Sequence, residues 1–502
     1  MSILVWFAAG LLVVTALVVL VMASRVASQR LWWGILTVTT IAVLLGLAAA
    51  PLHGKTTAWH WQMTNELDMY WRLDARTWSF AVIALAMLLA IALTDAARAE
   101  RVPAEGNGWA GVLLAGAVAI PAVLAASPWT FGAVWAVIDI GALSADLGRL
   151  SRARHRNAAV WVAFARALTW LAAGVTAVLW LDRQHEAMLL WFGVLALRLW
   201  VAMLEPGVMA ADRPPWRLAW SVVYLWSVLA AAGWASEQVW TQSDVLLGIL
   251  SVLALWGVWR WQRTRTPLRQ VAASGVALGG IALMASVRGL PAATWAWSLL
   301  AVFPVLGLVL APHRRRVMWL FFVLLAGGMS LLPFTPASAA VALWTPRFEG
   351  WMVLPGVVLV GSLMALVRQG MALPFPDKPL PREKQAFCVL GMAVWTGTFW
   401  GWRFWQVAAP VDVAVWLQWV PGGAALAAAL GLWMAFRRVN LRMDYAEAKL
   451  SQGIGRLTGY IFWRGYRLVG RFLRFLSLLL EGDGGVLWAL VLLVMLAVLL
   501  QR

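Results

Sequence analysis

Five ionisable side chains lie within or beside long apolar stretches of the sequence, where a charge is costly. Asp139 lies near the middle of the fifth apolar stretch, and Asp146 follows seven residues later on the same helical face. Arg166 and Arg198 lie in the next two apolar stretches, and Glu205 follows Arg198 by about two turns. Because ionisable groups at membrane depth are expensive, these residues are candidates for function.

A carboxylate beside an arginine in an apolar setting is typical of two different roles. Burial raises the proton affinity of a carboxyl group and a nearby arginine lowers it, and a proton relay needs such a balance. The same two groups can instead form a static ion pair that fixes the register of two helices. The sequence therefore predicts an ion-translocation site or a structural pair at Asp139, with Arg166 and Arg198 as partners and Glu205 as a second carboxylate.

The elements that position these residues are membrane spans. Of the 502 residues, 63% are hydrophobic and 12% are charged, whereas soluble domains have about 45–50% and about 25%. Apolar runs recur along the chain, and most have a length close to the roughly 20 residues that a helix needs to cross the bilayer. This pattern predicts an all-α, polytopic transmembrane protein of about 16 spans. The spans are expected at 3–23, 31–50, 78–97, 109–126, 129–147, 158–181, 187–204, 218–235, 244–259, 270–287, 291–311, 317–335, 351–367, 385–402, 413–436 and 486–500.

The distribution of basic residues predicts the orientation of these spans. Loops after odd-numbered spans contain 30 of the 40 Lys and Arg residues. Loops after even-numbered spans and the two termini together contain only 8, and Arg166 and Arg198 lie inside spans. Because cytoplasmic loops are enriched in Lys and Arg, we expect the odd-numbered loops in the cytoplasm. Both termini are then expected on the non-cytoplasmic side of the cell inner (cytoplasmic) membrane.

A different kind of segment lies between the last two spans. Within RLTGYIFWRGYRLVGRFLRFLSLLL (456–480), a basic stripe at intervals of three and four is formed by Arg464, Arg467, Arg471 and Arg474. The other faces are aromatic and aliphatic, which predicts a helix along the cytoplasmic interface that contacts anionic lipids or, alternatively, clamps a partner subunit. The predicted domains are a bundle of about 15 spans over 1–436, this interfacial segment over 437–485, and a final transmembrane helix over 486–502.

Several classes of function find no support in the residue pattern. Cys388 is the single cysteine, which excludes an internal disulfide and a CxxC pair. The five histidines lack metal-ligand spacing, and no P-loop, dinucleotide fingerprint or GxSxG elbow is present. The net charge of +18 is spread over short loops, which fits lipid head groups better than nucleic acid. We therefore expect no catalytic residue, metal, cofactor or nucleic-acid partner.

Tryptophan is unusually frequent, with 37 residues. Many lie near span ends, where an indole ring prefers the head-group layer. Interfacial anchoring and bulky packing are the expected roles, and a pocket for a quinone or a pigment is the alternative.

The order of these features resembles the antiporter-like subunits of respiratory complex I (NADH:quinone oxidoreductase) and of Mrp-type sodium/proton antiporters. In that family a DG-L-L-F-L-L segment opens the third span, and RLDARTWSFAVIALAMLLAIALT (72–94) looks similar. The family's FWELLSLSSYLL helix carries the proton-path Glu, and GVLLAGAVAIPAVLAASPWTFGAVWAVIDIGALSADL (111–147) has the same layout with Asp139 at the Glu position. The resemblance extends loosely to Arg217. A long interfacial helix followed by one last span is also similar to the C-terminal part of the family's largest subunit.

The lysines that this family uses for proton relay are not matched. They lie in its seventh, eighth and twelfth helices, whereas none of the four lysines here lies in a span. Arg198 falls in the seventh span, but arginine does not release a proton readily. The resemblance therefore implies a degenerate membrane subunit of a multi-subunit proton- or cation-translocating complex, with other membrane subunits as partners. A non-conducting scaffold subunit is one alternative, and a stand-alone transporter or lipid-modifying enzyme is another.

Reporter fusions in six loops test the predicted orientation. We expect a cytoplasmic signal after Arg152, Arg263, Arg315 and Lys378, and the opposite signal at Thr57 and Gln238. The reason is the uneven division of Lys and Arg between the two sets of loops. Opposite signals from two neighbouring sites of the first group would show that a span between them was missed or invented.

Overall fold

A computed structural model describes most of the first 432 residues as α-helix. The described residues are 3–22, 28–51, 56–62, 68–98, 106–147, 153–203, 215–238, 243–264, 266–311, 316–332, 335–344, 353–371, 381–405, 423–429 and 431–432. The chain divides into two compact units, Met1–Leu432 and Trp433–Arg502, and the second unit lies outside the described residues.

Besides a helical stretch over the described residues 423–429, fourteen long α-helices follow the apolar runs of the sequence. They are α1 (Ile3–Met22), α2 (Ser28–Ala48), α3 (Ala75–Arg98), α4 (Gly106–Leu124), α5 (Pro128–Leu147), α6 (Ala153–Asp182), α7 (Gln184–Ala202), α8 (Pro215–Ala235), α9 (Asp244–Arg263), α10 (Pro267–Val287), α11 (Pro291–Leu310), α12 (Arg316–Met329), α13 (Val353–Met371) and α14 (Arg382–Trp405). Ten helices in the described part of the chain are long and apolar enough to cross a membrane. This confirms the prediction of an α-helical, multi-pass membrane protein.

Each of the first fourteen predicted spans coincides with one of these helices, and most of the bounds agree within a few residues. The exact number of spans stays a prediction. The interfacial segment with Arg464, Arg467, Arg471 and Arg474 and the final span lie outside the described residues, as does most of the predicted span 413–436.

Helix α12 is shorter than the predicted span 317–335, because it ends at Met329. Pro333 follows four residues later in the sequence, and a proline ring clashes with the carbonyl group four residues before it. Leu331 has a left-handed backbone conformation with φ 61°, and a short 3-10 helix follows at Ser338–Trp344. The proline therefore ends the helix where apolarity alone predicts continuation.

Helices α3, α8 and α11 form the centre of the bundle, since their membrane-length stretches are buried throughout. Phe80 of α3 joins the three helices: its ring stacks on Trp226 of α8 at 4.4 Å and meets Trp295 of α11 edge-on at 4.3 Å. Such aromatic pairs add to the stabilisation that burial alone gives. Fully buried tryptophans include Trp135, Trp191, Trp261, Trp295, Trp297, Trp395 and Trp402, so tryptophan fills the interior as well as the span ends.

The connection between α2 and α3 contains an antiparallel hairpin. Its strands are β1 (Thr57–Gln62) and β2 (Asp68–Leu73), with Trp59 opposite Trp71. Both of these rings meet Trp6 of α1 edge-on, at 5.6 and 5.9 Å. Aromatic residues favour strands and cross-strand pairs, which is the signal that could have predicted the hairpin.

Ion pairs hold the hairpin to the end of α8. Arg72 forms ion pairs with Asp74, at 3.0 Å, and with Glu237, and Arg76 Nη1 lies 2.8 Å from Glu237 Oε1. Burial lowers the pKa of Arg72, but the charges of Asp74 and Glu237 outweigh burial and raise this pKa above its ordinary value. These contacts place the loops after the second and eighth spans at the same end of the bundle, as the alternation of basic residues predicts.

Small residues let α9 and α10 pack closely. A Cβ atom at Gly257 would lie 2.5 Å from the backbone nitrogen of Ala277, and one at Gly280 would lie 3.0 Å from the Cβ of Ala254. Close approach of backbones through small residues is a main source of helix association in membranes. The α9–α10 contact therefore depends on glycine at 257.

Replacement of Gly257 by Ala should destabilise the bundle by about 1–3 kcal/mol, because the added methyl group overlaps the backbone of α10. Gly248→Ala is the matched control, since it changes the same helix where no atom lies within 4 Å of the new Cβ. Thermal unfolding in detergent measures both variants. Equal stability of the two would contradict the assigned α9–α10 packing.

Candidate functional site

A cluster of three charged side chains lies where α5, α6 and α7 meet α8. Asp139 comes from α5, Arg166 from α6 and Arg198 from α7, with exposed fractions of 4%, 6% and 0%. Each residue lies in an apolar helix that packs against the next one along the chain. We call these three residues the charged cluster.

Asp139 and Arg198 form a two-point ion pair at the centre of this cluster. Arg198 Nη1 donates to Asp139 Oδ2 at 3.0 Å, and Arg198 Nη2 donates to Asp139 Oδ1 at 3.2 Å. Arg166 Nη1 lies 3.8 Å from Asp139 Oδ1. Two parallel hydrogen bonds between a guanidinium and a carboxylate form the strongest common arrangement of this pair.

Neutral polar groups complete the surroundings of Arg198. Its Nη1 also donates to Thr169 Oγ1 at 2.7 Å, and the Thr169 hydroxyl donates to the carbonyl oxygen of Arg166 at 2.6 Å. Tyr224 of α8 donates its hydroxyl to the carbonyl oxygen of Arg198 at 2.8 Å. The cluster therefore connects all four helices from α5 to α8.

Aromatic rings cover both arginines. The guanidinium carbon of Arg198 lies 4.3 Å from the ring centre of Tyr224 and 4.5 Å from that of Trp135. The guanidinium carbon of Arg166 lies 4.2 Å from the same Tyr224 ring. Trp135 in turn stacks on Trp191, with ring centres 5.4 Å apart. Cation–π contacts of this kind are strongest when water is excluded, as it is around these buried groups.

This geometry favours a fixed charge arrangement. Both oxygens of Asp139 accept hydrogen bonds from one arginine, and arginine keeps its proton at all ordinary pH values. A proton relay through Asp139 would require this pair to open, and Arg166 is the alternative partner within reach. Among the described residues, no three His, Cys, Asp or Glu side chains gather as a metal site would require.

The structure brings together three of the four predicted ion-translocation candidates, and the role in ion translocation stays a prediction. Glu205 lies outside the described residues. Sequence reasoning missed Thr169 and Tyr224. Thr169 lies one turn after Arg166, on the same face, and Tyr224 is one of only five tyrosines and lies in the middle of a span, so both carried a signal.

Comparison with known proteins finds similarity in structure alone. No protein-family model matches the chain, and no curated protein gives a significant match. A chain of the Mrp complex from Dietzia sp. is 15% identical with a TM-score of 0.61, over 98% of this chain and 62% of that chain. This chain thus spans about three fifths of the Mrp chain.

In two further solved structures, the match covers nearly the whole of the chain that is compared. A chain of the membrane-bound sulfane sulfur reductase, an archaeal respiratory membrane complex, is 13% identical with a TM-score of 0.58, over 97% of this chain and 99% of that chain. A chain of respiratory complex I from Thermus thermophilus is 14% identical with a TM-score of 0.58, over 78% and 96%. These similarities confirm the resemblance to antiporter-like subunits at the level of the fold.

Replacing Tyr224 should separate its hydroxyl from its ring. Tyr224→Phe removes one hydrogen bond and should cost about 1 kcal/mol of stability. Tyr224→Leu also removes the ring over both arginines, and should cost about 1–2 kcal/mol more. Thermal unfolding in detergent measures the stability of the wild-type protein and of the two variants. Equal stabilities of the two variants would show that the ring does not stabilise the arginines.

Proposed function

We propose that this chain is a membrane subunit of a multi-subunit ion-translocating complex of the Mrp or complex I-like kind, and that it serves there as a scaffold. The proposal places it in the inner membrane, with both termini on the non-cytoplasmic side. Its partners are other membrane subunits, engaged in part by the segment 437–485, and anionic lipids. The fold shared with chains of such complexes supports this class of function.

The observation that carries the scaffold role is the buried pair of Asp139 and Arg198. This pair crosses between α5 and α7, and its hydrogen bonds and covering rings leave it little freedom. Removing one partner of a buried pair typically costs about 3–5 kcal/mol, because the other charge is left unpaired. The pair therefore fixes the positions of two helices and restricts proton exchange.

The packing of the later helices supports the same role. In the described parts of α9 to α14, every Asp, Glu, Lys and Arg lies in the first or last turn of its helix. The interior there is aromatic: Phe303 of α11 stacks on Trp395 of α14 at 4.0 Å and on Phe399 at 4.8 Å. A closely packed apolar interior excludes the water and the titratable groups that a proton path uses.

A proton relay at Asp139 is the second candidate, and one contact favours it. Arg166 Nη1 lies 3.8 Å from Asp139 Oδ1, so the carboxylate has a second arginine to which it could move. A shift of Asp139 between two arginines would change its surroundings during a transport cycle.

Neutralisation of the pair distinguishes the two candidates in the purified complex. If the chain is a scaffold, Asp139→Asn should impair assembly by leaving Arg198 unpaired, and Asp139→Asn with Arg198→Gln should restore assembly with normal ion transport. The matched second variant combines Asp139→Asn with Arg166→Gln. It should restore assembly to a lesser extent, because Arg166 lies farther from Asp139 than Arg198 does.

The relay predicts different results for the same proteins. Asp139→Asn would then assemble normally and lose ion transport, and Asp139→Glu would keep part of it, because only the latter titrates. Recovery of the chain alone in mild detergent, with no other membrane subunit, would contradict membership of a complex.

A further inference from the structure

The outer face of α14 carries a groove that is outside the charged cluster. It is shallow and open, with a volume of about 640 Å³. The described residues that line it all belong to α14: Arg382, Gln385, Ala386, Phe387, Val389, Leu390 and Ala393. Arg382, Ala386, Leu390 and Ala393 are exposed along one face of the helix. The groove is thus apolar along its length and has an arginine at one end.

Aromatic residues place the arginine end of this groove at the membrane surface. Phe387 meets Trp32 and Trp33 of α2 edge-on, with ring centres 5.2 and 5.9 Å away. Tryptophan pairs of this kind prefer the head-group layer. Arg382 lies more than one turn before Phe387, toward the end of α14, so its guanidinium is at the level of lipid head groups.

The length of the groove matches one leaflet of the bilayer. From Arg382 to Ala393 the helix rises about 17 Å, and half of the hydrocarbon core measures about 15 Å. Helix α14 has 24 residues, so the groove follows about half of its length, whereas a helix lying alongside it would cover more. A groove that begins at an arginine and ends near the middle of the bilayer fits a lipid better.

We propose that this groove binds one anionic phospholipid of the cytoplasmic leaflet. Its phosphate contacts Arg382, and one acyl chain lies along Ala386, Leu390 and Ala393. Charge supports an anionic rather than a zwitterionic lipid: Arg30, Arg382 and Lys384 lie at this end of α2 and α14, and the described carboxylates there are Glu383 and, at the end of α3, Asp95. Backbone N–H groups in the first turn of α14 add to the attraction for phosphate.

Lipid retention by the full chain, purified in mild detergent with any bound subunits, tests the proposal. Wild-type protein should retain phosphatidylglycerol over phosphatidylcholine after washing, and added phosphatidylglycerol should raise its melting temperature. Arg382→Gln should lower retained phosphatidylglycerol about fivefold, which is the effect of one basic residue near an anionic lipid. Ala393→Phe should lower it by filling the groove without a change in charge.

Two control variants separate this groove from general lipid contact. Arg269→Gln removes another exposed arginine near the start of α10, and Val18→Phe enlarges a residue that is 50% exposed on α1. Both should retain wild-type amounts of phosphatidylglycerol. Equal retention by all four variants would overturn the proposal, as would a photo-crosslinker at Leu390 that attaches to another subunit instead of lipid.

Discussion

The ion pair of Asp139 and Arg198 imposes the main constraint on the first half of the bundle. A charge at membrane depth is tolerated only where a partner and further hydrogen bonds replace water. Here α5 supplies the carboxylate, α7 the guanidinium, α6 a threonine and a second arginine, and α8 a tyrosine. The Asp139 carboxylate, the Arg198 guanidinium and the Tyr224 hydroxyl each find their hydrogen-bond partners on another helix, so these groups are satisfied only when the helices pack together.

The other half of the bundle is held together without such charges. Lipid tails are as apolar as leucine, so hydrophobicity does not drive one membrane helix against another. Close packing takes its place, through Gly257 against the backbone of Ala277 and through the rings of Phe303 and Trp395. Tryptophan also joins neighbouring helices by hydrogen bonds: the indole N–H of Trp395 in α14 donates to the carbonyl oxygen of Phe303 in α11 at 3.0 Å. Glycine and tryptophan thus hold the later helices together, as the charged cluster holds α5 to α8 together.

The sequence predicts the features that depend on local composition, and misses those that depend on distant contacts. Helix positions follow from apolar length, and the joint placement of the hairpin and Glu237 agrees with the division of basic residues. Asp139 and its two arginines are visible because charge in a span is rare. The two-point geometry, the Tyr224 hydroxyl on the Arg198 carbonyl and the pairing of Trp59 with Trp71 require residues far apart in the chain to meet. Pro333 in the sequence indicates that α12 ends early, but the apolar run continues past it and predicts a longer span.

A shared fold and a shared function are separate matters for a chain of this kind. The arrangement of helices is set by apolar length, small residues and a few buried polar contacts, and it can persist when titratable groups change. Ion translocation depends on groups that exchange protons near neutral pH, and arginine as a residue type is not one of them. Substituting arginine for a lysine keeps the positive charge, adds a second hydrogen bond to the carboxylate and strengthens the structural role of the pair. An Asp–Arg pair is thus a better anchor than a relay, and this is the physical reason for proposing a scaffold role for the chain.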